Sequence, residues 1–297
     1  MNKGILYAAA AYIIWGLLPL YWKALQGVPA LEILAHRIVW SLIFVSVILT
    51  VRHKWSFVKP ALRDRRIVLT FVASGLLLSV NWFTYIWAVN DGHIVETSLG
   101  YFINPLVNVL LGYVVLKERM RPAQWAAIAL AAAGVLYLTL SYGSFPWIAL
   151  TLAFSFGTYG LLRKTAKLNS AEGLAMETAV LFLPAAGYLL LLQSQGAGSF
   201  AGGDLSTTLL LFFAGAATSI PLLFFAAGAR LIPLASLGLL QYIAPTLQFL
   251  IGVLVYDEPF GISRLIGFSI IWLALILYSA EGLAHYRRRL APAEAQA

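Results

Sequence analysis

Long apolar stretches, separated by short polar segments, run along the whole chain. Each stretch has about the 20 residues that an α-helix needs to cross the hydrocarbon core of a bilayer. The pattern therefore predicts ten membrane-spanning helices and no separate soluble domain. The predicted spans are residues 5–25, 31–51, 67–88, 94–116, 122–141, 146–162, 173–193, 207–229, 235–256 and 262–284.

The composition supports an all-α integral membrane protein. Of the 297 residues, 61% are hydrophobic and 11% are charged, whereas a soluble domain carries about 25% charged residues. The chain has no cysteine, which excludes disulfides, thiolate metal ligands and a cysteine nucleophile.

The basic residues lie mainly in alternate connections between the predicted spans. Placing both termini in the cytoplasm puts most Lys and Arg inside, leaves Lys23 and Arg264 outside and leaves Arg37 within a span, in agreement with the positive-inside rule. The net charge of +8 is therefore interpreted as a topology signal and not as a nucleic-acid surface.

The two halves of the chain resemble each other. An offset of 140 residues brings Pro105 onto Pro245 and Glu118 onto Glu258, and an offset of 141 brings Lys23 onto Lys164. Because five is odd, a second five-helix unit starts on the opposite side of the membrane, an arrangement typical of alternating-access transporters. A purely structural duplication is the alternative. The predicted units are 1–141 and 142–286, two inverted five-helix repeats, followed by a short basic and then flexible cytoplasmic tail at 287–297.

Ionisable residues inside predicted spans are few, and each is a candidate for function. Arg37 either binds a substrate carboxylate or forms a structural ion pair with Glu32. The offset places Glu177 opposite Arg37. Glu177 is either a gate residue or a near-surface carboxylate bonded to Arg163 or Lys164.

The fourth and ninth predicted spans carry matching polar stripes. Pro105 and Pro245 lack an N–H and so free the carbonyls of Tyr101 and Gln241, and such carbonyls line cavities in the broken helices of transporters. The alternative is a kinked helix whose amides bond to neighbouring helices. Aromatic rings with sparse amides suit neutral or amphipathic organic solutes. The predicted cavity residues are Trp15, Arg37, Asn81, Trp82, Tyr85, Tyr101, Asn104, Asn108, Gln241 and Gln248.

Several acidic residues lie near the predicted membrane edges. Asp91 and Glu96 are candidates for carrying a proton, with a solvated loop as the alternative, and Glu118 and Glu258 suit helix ends or gates. The predicted gate or coupling residues are Glu32, Asp91, Glu96, Glu118, Glu177 and Glu258. The tryptophans that are predicted to lie in interface belts are Trp22, Trp40 and Trp147.

The segment NWFTYIWAVNDGHIVETSLGYFINPLVNVLLGYVVLKER resembles the RarD group of the EamA family, in the drug/metabolite transporter superfamily. The resemblance implies ten spans in two repeats, the inner membrane of a bacterium and export of metabolites or drugs. It carries over Pro105 with Glu118, Pro245 with Glu258, and Arg37. The second half departs by having Ala244 where the first has Asn104.

These observations predict a secondary transporter of small organic solutes, exporting by alternating access, with proton coupling left open. Uptake or exchange by the same fold is the alternative. The sequence has no GxxxxGK[ST], HExxH or GxSxG string, so neither ATP drive nor an enzyme is expected, and a receptor would not explain the inverted repeat. No metal or cofactor is expected; the expected partners are the solute and the lipid bilayer, and the oligomeric state is left open.

Overall fold

The computed structural model describes residues 3–90, 94–142, 145–200, 202, 204–255 and 261–294, and all the regular elements in these ranges are helices. Twelve helices follow one another along them, joined mostly by short connections. They are α1 (Lys3–Lys23), α2 (Ala30–Val51), α3 (Val58–Arg63), α4 (Arg65–Asn90), α5 (Ile94–Val114), α6 (Pro122–Tyr142), α7 (Trp147–Thr165), α8 (Ser170–Ser194), α9 (Leu205–Leu231), α10 (Leu234–Leu240), α11 (Ile243–Val255) and α12 (Ile262–Glu294).

Within the described residues, eight segments are long and apolar enough to cross a membrane: α1, α2, α4, α6, α8, α9, the α10–α11 pair and α12. The chain is thus an all-α integral membrane protein. Of the other two long helices, α5 holds a shorter apolar stretch, Leu99–Val114, and α7 ends in Arg163 and Lys164. These two helices pack against each other, and the arrangement is consistent with the ten predicted spans.

The helices pack in pairs that place α1, α5, α7 and α9 around the middle of the bundle. Helix α1 contacts α9 and α11, α7 contacts α5 and α4, α2 contacts α8 and α9, and α6 contacts α12. The largest cluster of buried hydrophobic side chains lies where these central helices meet and includes Tyr12, Tyr159 and Phe225.

The ninth predicted span is two helices. Helix α10 ends at Leu240, a turn follows at Gln241 and Tyr242, and α11 begins at Ile243. Pro245 cannot donate to the Gln241 carbonyl, which instead accepts from the Ala244 N–H at 3.1 Å. Helix α5, in contrast, continues through Pro105. The matching prolines therefore do not produce matching helices.

The chain departs from the predicted pattern in two further places. The basic segment after α2 contains the short helix α3, and α12 continues to Glu294, through most of the residues predicted as a flexible tail. Alanine, arginine and leucine are strong helix formers, which explains why the last helix extends beyond its apolar stretch.

Candidate functional site: a cavity in the outer half of the bundle

A cavity of about 340 Å³ lies between the central helices, at the small end of the ~300–1,000 Å³ range of ligand pockets. Following the predicted orientation, we call the end of the bundle with the α1–α2 connection the outer end, and the opposite end the inner end. The cavity lining extends from Tyr12 and Leu222, both buried, to Lys23, which is exposed at the end of α1. The cavity therefore occupies the outer half of the bundle.

Most of the predicted cavity residues line this space. Asn108 is the exception: it is 1% exposed, and its Nδ2 donates to Asn104 Oδ1 at 3.2 Å and Gln241 Oε1 at 3.1 Å. It lies beneath the cavity, on the side of α5 that faces α7 and α10, because Gly157 and Gly160 leave room there. The predicted residues that do line the cavity are Trp15, Arg37, Asn81, Trp82, Tyr85, Tyr101, Asn104, Gln241 and Gln248.

The amides of the cavity wall also hold helices together. Asn81 Nδ2 donates to the Leu152 carbonyl at 2.9 Å and to Ser155 Oγ at 3.0 Å, which links α4 to α7. Asn104 Nδ2 donates to the Ala153 carbonyl at 2.7 Å, and Gln248 Nε2 donates to the Trp15 carbonyl at 3.2 Å. The two alternatives raised by the sequence, cavity lining and bonding between helices, therefore both apply.

Arg37 lies in the cavity wall between two indole rings. Its guanidinium carbon is 4.8 Å from the centre of the Trp22 ring and 4.6 Å from that of Trp82, and its Nε donates to Thr218 Oγ1 at 2.9 Å. No described carboxylate, that of Glu32 included, forms an ion pair with it. The structural pair with Glu32 is thus not formed, and Trp22, predicted to be interfacial, lines the cavity and faces Arg37.

Glu32 is buried and accepts hydrogen bonds from Ser199. Its Oε1 accepts from the Ser199 N–H at 2.6 Å and its Oε2 from the Ser199 hydroxyl at 2.9 Å. His36 Nε2 lies 4.0 Å from the same carboxylate. Because His36 Nδ1 accepts from Trp40 Nε1 at 3.1 Å, a neutral His36 carries its proton on Nε2, towards Glu32. Glu32 therefore anchors the α8–α9 connection beside a titratable neighbour.

An aromatic plug, formed by Tyr12, Phe156, Tyr159 and Phe225, closes the cavity on its inner side. The Phe156 and Phe225 ring centres are 5.3 Å apart, and the Tyr159 and Phe225 rings stack at 5.9 Å. Tyr12 meets Phe225 edge-on at 6.2 Å. Tyr12 and Phe156 are also part of the cavity lining, so the plug is the floor of the cavity.

Glu118 fixes the start of α10 at the inner end. Its Oε1 accepts from the Leu234 N–H at 2.7 Å and its Oε2 from the Ala235 N–H at 3.1 Å, as a helix-capping carboxylate does. The Lys164 ammonium lies 3.7 Å from the same carboxylate and donates to the Ile232 carbonyl at 2.5 Å. One acid thus joins the α5–α6 connection to α10 and α7.

A buried ion pair lies next to this cap. Arg163 Nη1 is 3.6 Å from Glu177 Oε1, and the side chains are 2% and 0% exposed. Glu177 also accepts from the Ser74 hydroxyl at 2.7 Å and the Tyr159 hydroxyl at 3.5 Å, while Arg163 Nη2 donates to the Ser170 carbonyl at 2.9 Å. Of the two partners considered for Glu177, the structure selects Arg163.

Two further ion pairs join the halves of the chain at the inner end. Lys167 Nζ lies 2.7 Å from Asp64 Oδ2, and this hydrogen bond lowers the pKa of Asp64. Arg121 pairs with Glu281, and the hydrogen bonds that its guanidinium donates to that carboxylate raise the pKa of Arg121. Each pair joins a residue that precedes α7 in the chain to one that follows it. Both pairs therefore add contacts between the two halves at the inner end.

Some predicted residues cannot be placed, and some site residues were missed. Asp91, Glu258 and the side chain of Glu96 lie outside the described residues. Thr218 was missed because its counterpart at the 140-residue offset, Leu78, is apolar. Phe156 and Phe225 were missed because an aromatic residue in an apolar span carries no signal of its orientation.

The comparisons with known proteins agree with this fold. Residues 2–140 match the EamA-like transporter family. Protein RarD of Streptomyces exfoliatus is 49% identical over 297 residues, which cover 100% of this chain and 94% of that protein. The chain belongs to the EamA-like transporter family. It is thus a multi-pass membrane protein of a bacterial transporter family, and the resemblance to RarD proteins is confirmed.

Two other relatives extend the comparison. The uncharacterized transporter YojE of Bacillus subtilis (strain 168) is 51% identical over 283 residues, or 94% of each chain. A solved crystal structure of a protein that is 20% identical superposes with a TM-score of 0.72 over 94% of this chain and 98% of that one. At that identity the likeness supports the fold alone.

Proposed function

We propose that this family member is a secondary transporter of small organic metabolites or drugs that works by alternating access. The observation that carries the proposal is the contrast between the two ends of the bundle. The central cavity extends to the outer end, whereas the aromatic plug, the Glu118 cap and the Arg163–Glu177 pair close the inner end. A cavity closed on one side only is what one of the two alternating states requires.

The packing of the helices supports two inverted repeats as the basis of the exchange between states. The 140-residue offset relates α1 to α7, α2 to α8, α4 to α9, α5 to α10–α11, and α6 to α12. When each helix is replaced by its counterpart, the α1–α9 contact becomes the α7–α4 contact, and the α5–α7 contact becomes the α11–α1 contact; all four contacts are present. The α2–α8 and α6–α12 contacts map onto themselves. Such a bundle can open its inner end if each half adopts the helix packing that the other half has in this structure.

Glu32 is the described carboxylate that best suits proton coupling. It is 1% exposed, lies 4.0 Å from His36 Nε2 and anchors the α8–α9 connection at the outer end through Ser199. Protonation of Glu32 would weaken its bond to the Ser199 N–H, because a neutral carboxyl is a weaker acceptor than a carboxylate. The orientation with both termini in the cytoplasm, the inner membrane as location and export as direction complete the proposal, with the RarD resemblance carrying the last two.

The test is solute flux in proteoliposomes with and without an imposed pH gradient. A panel of radiolabelled amphipathic solutes and amino acids is loaded inside vesicles or supplied outside, and both directions are measured. We expect saturable flux of some panel members that follows the gradient, and uncoupling of that flux from the gradient in Glu32→Gln. Asp204→Asn, at an exposed helix start in the α8–α9 connection, is the control.

The outcomes separate the parts of the proposal. Gradient-independent flux would leave a facilitator or exchanger and remove proton coupling. Flux that is equal in both directions would remove export. The absence of any saturable flux or specific binding across the panel would contradict the transport function.

A further inference from the structure

The described residues hold the Arg37 guanidinium in place without neutralising its charge. Thr218 accepts from Nε, and the Trp22 and Trp82 faces fix the plane of the group. No described residue accepts a hydrogen bond from its two terminal nitrogens. The planar donor pair that recognises a carboxylate bidentately is therefore oriented at the cavity wall and left unused.

The described wall of the cavity holds no counter-charge for this cation. Its lining within the described residues includes the basic side chains of Arg37 and Lys23, but no carboxylate. A charge inside the membrane is costly and is normally paired with an opposite charge or exposed to water. A negatively charged group on the ligand would supply the missing partner.

The other half of the bundle shows what a completed pair looks like. The 141-residue offset places Arg163 over Trp22, and the 140-residue offset places Glu177 over Arg37. In the second half these two positions hold a base and an acid that pair at 3.6 Å. In the first half they hold an indole and a base. The first half thus has a base but no acid at these two positions, both of which line the cavity.

The rest of the wall restricts the ligand further. The rings of Trp15, Trp82, Tyr85 and Phe156 provide an apolar surface, and about 340 Å³ holds one small molecule. A zwitterionic amino acid would also need an acceptor for its ammonium group, and the described wall has amides but no carboxylate for that purpose. The wall is thus complementary to an apolar body with one negative end.

We propose that the transported ligand is a small organic monoanion, an apolar or aromatic carboxylate whose two oxygens bind the terminal nitrogens of Arg37. This inference rests on the proposed function, since it takes the cavity as the transport site.

The test measures binding by calorimetry to the protein in nanodiscs at pH 7.5, so that passive leakage of a weak acid has no influence. Four probes share one phenylalkyl frame: 3-phenylpropionate, its neutral amide, 3-phenylpropylamine and phenylalanine. The anion is ionised at this pH. We expect it to bind about 10- to 100-fold more tightly than the amide, the range for hydrogen bonds to a charged group.

Substitutions then test whether Arg37 is responsible for the preference for the anion. In Arg37→Gln the affinity for 3-phenylpropionate should fall by about 10- to 100-fold, while that for the amide changes by less than about threefold. Arg37→Lys, which keeps the charge without the fork, should be intermediate. Arg65→Gln, the same chemical change at an exposed position, should alter neither affinity. If Arg37→Gln does not fold, the four-probe series on the unmodified protein still decides the matter.

Equal affinity for the anion and the amide, tighter binding of the amine or of phenylalanine, or no binding of the anion at millimolar concentration would overturn the inference. Its failure is distinguishable from failure of the proposed function. Saturable flux of other solutes without a preference for anions would leave a transporter with a different substrate class. Arg37-dependent binding of the anion without any flux would retain the binding site and remove the transport role.

Discussion

Arg37 and Arg163 lie inside the bundle towards opposite ends, and they are stabilised in different ways. Arg163, at the inner end, pairs with Glu177 and donates to a backbone carbonyl. Arg37, at the outer end, contacts a hydroxyl and two indole rings and has no described acid. The inner end thus carries its own counter-charge, whereas at the outer end, under the proposed binding of an anion, the ligand supplies it.

The difference is informative because the two places correspond under the internal repeat. Trp22 and Arg37 on α1 and α2 correspond to Arg163 and Glu177 on α7 and α8. Several helix contacts match between the halves, as α1–α9 matches α7–α4, but the chemistry at these positions does not. Backbone symmetry is what two alternating states need, and recognition of one ligand needs only one of the two sites.

The largest effect on stability is expected from removing the carboxylate of Glu177 at the inner end. In Glu177→Gln, Arg163 becomes a buried charge without a partner, which costs about 3–5 kcal/mol. Ser74 and Tyr159 also lose a charged acceptor. We expect a loss of that size in the free energy of unfolding, measured by SDS titration in mixed micelles.

Removal of both charges is the control for this prediction. Replacement of a buried ion pair by apolar residues is often neutral, so Arg163→Met combined with Glu177→Leu should recover most of the lost stability. A double variant as unstable as Glu177→Gln would show that the hydrogen bonds, and not the unpaired charge, are responsible.

A smaller effect is expected from filling the space in which Arg163 lies. A Cβ on Gly173 would be 1.7 Å from Arg163 Nη1 and 2.6 Å from the Phe71 ring. Gly173→Ala should therefore displace the guanidinium from Glu177 and destabilise the protein by about 1–3 kcal/mol, the usual cost of overpacking. Gly187→Ala, on the same helix with no atom within 4 Å of the added Cβ, should stabilise slightly or have no effect in the same titration.

The bundle and most of the cavity wall were predictable from the sequence because both leave a periodic signal. Apolar stretches mark the helices, and the arginine and amide side chains inside them stand out because they are few. Arg37, Asn81 and Gln241 were found in this way. The 140-residue offset also drew attention to Glu118, which it pairs with Glu258, and to Glu177, which it places opposite Arg37.

The partners of these groups were not predictable, because they depend on how helices rotate against one another. Trp22 looks like an interfacial residue until α1 turns it towards Arg37. Asn108 looks like a cavity residue until α10 covers it. The break at Gln241 and the continuity of α5 at Pro105 differ for the same reason, since neighbouring helices and not the proline decide whether a freed carbonyl is satisfied.

The Glu118 cap should contribute about 1 kcal/mol to closure of the inner end, within the range of ~0.5–2 kcal/mol for helix caps. Glu118→Gln should therefore raise the population of states with an open inner end several-fold. Because the chain has no cysteine, maleimide labelling of Ala229→Cys, fully buried at this end, reports opening directly. We expect labelling to be about fivefold faster in Glu118→Gln.

The control for the cap is Glu172→Gln. Glu172 is another acid at the inner end, in the first turn of α8, where it takes part in the capping box with Asn169. Its substitution should leave the labelling of Ala229→Cys unchanged. Equal acceleration by both variants would mean that general loosening of the inner end, and not release of α10, exposes Ala229.

The smallest effect on the free energy of unfolding is expected from substitution of Arg37 in the absence of ligand. Arg37→Gln removes the hydrogen bond to Thr218 and two cation–π contacts worth about 0.5–2 kcal/mol each, but it also removes the cost of holding an unpaired charge in the membrane. These terms oppose each other, and no described acid loses its partner, so the free energy of unfolding should change by about 1 kcal/mol or less. The same SDS titration measures it beside Glu177→Gln. A loss as large as that of Glu177→Gln would make Arg37 a structural residue like Arg163, and the two ends of the bundle would then differ in geometry alone.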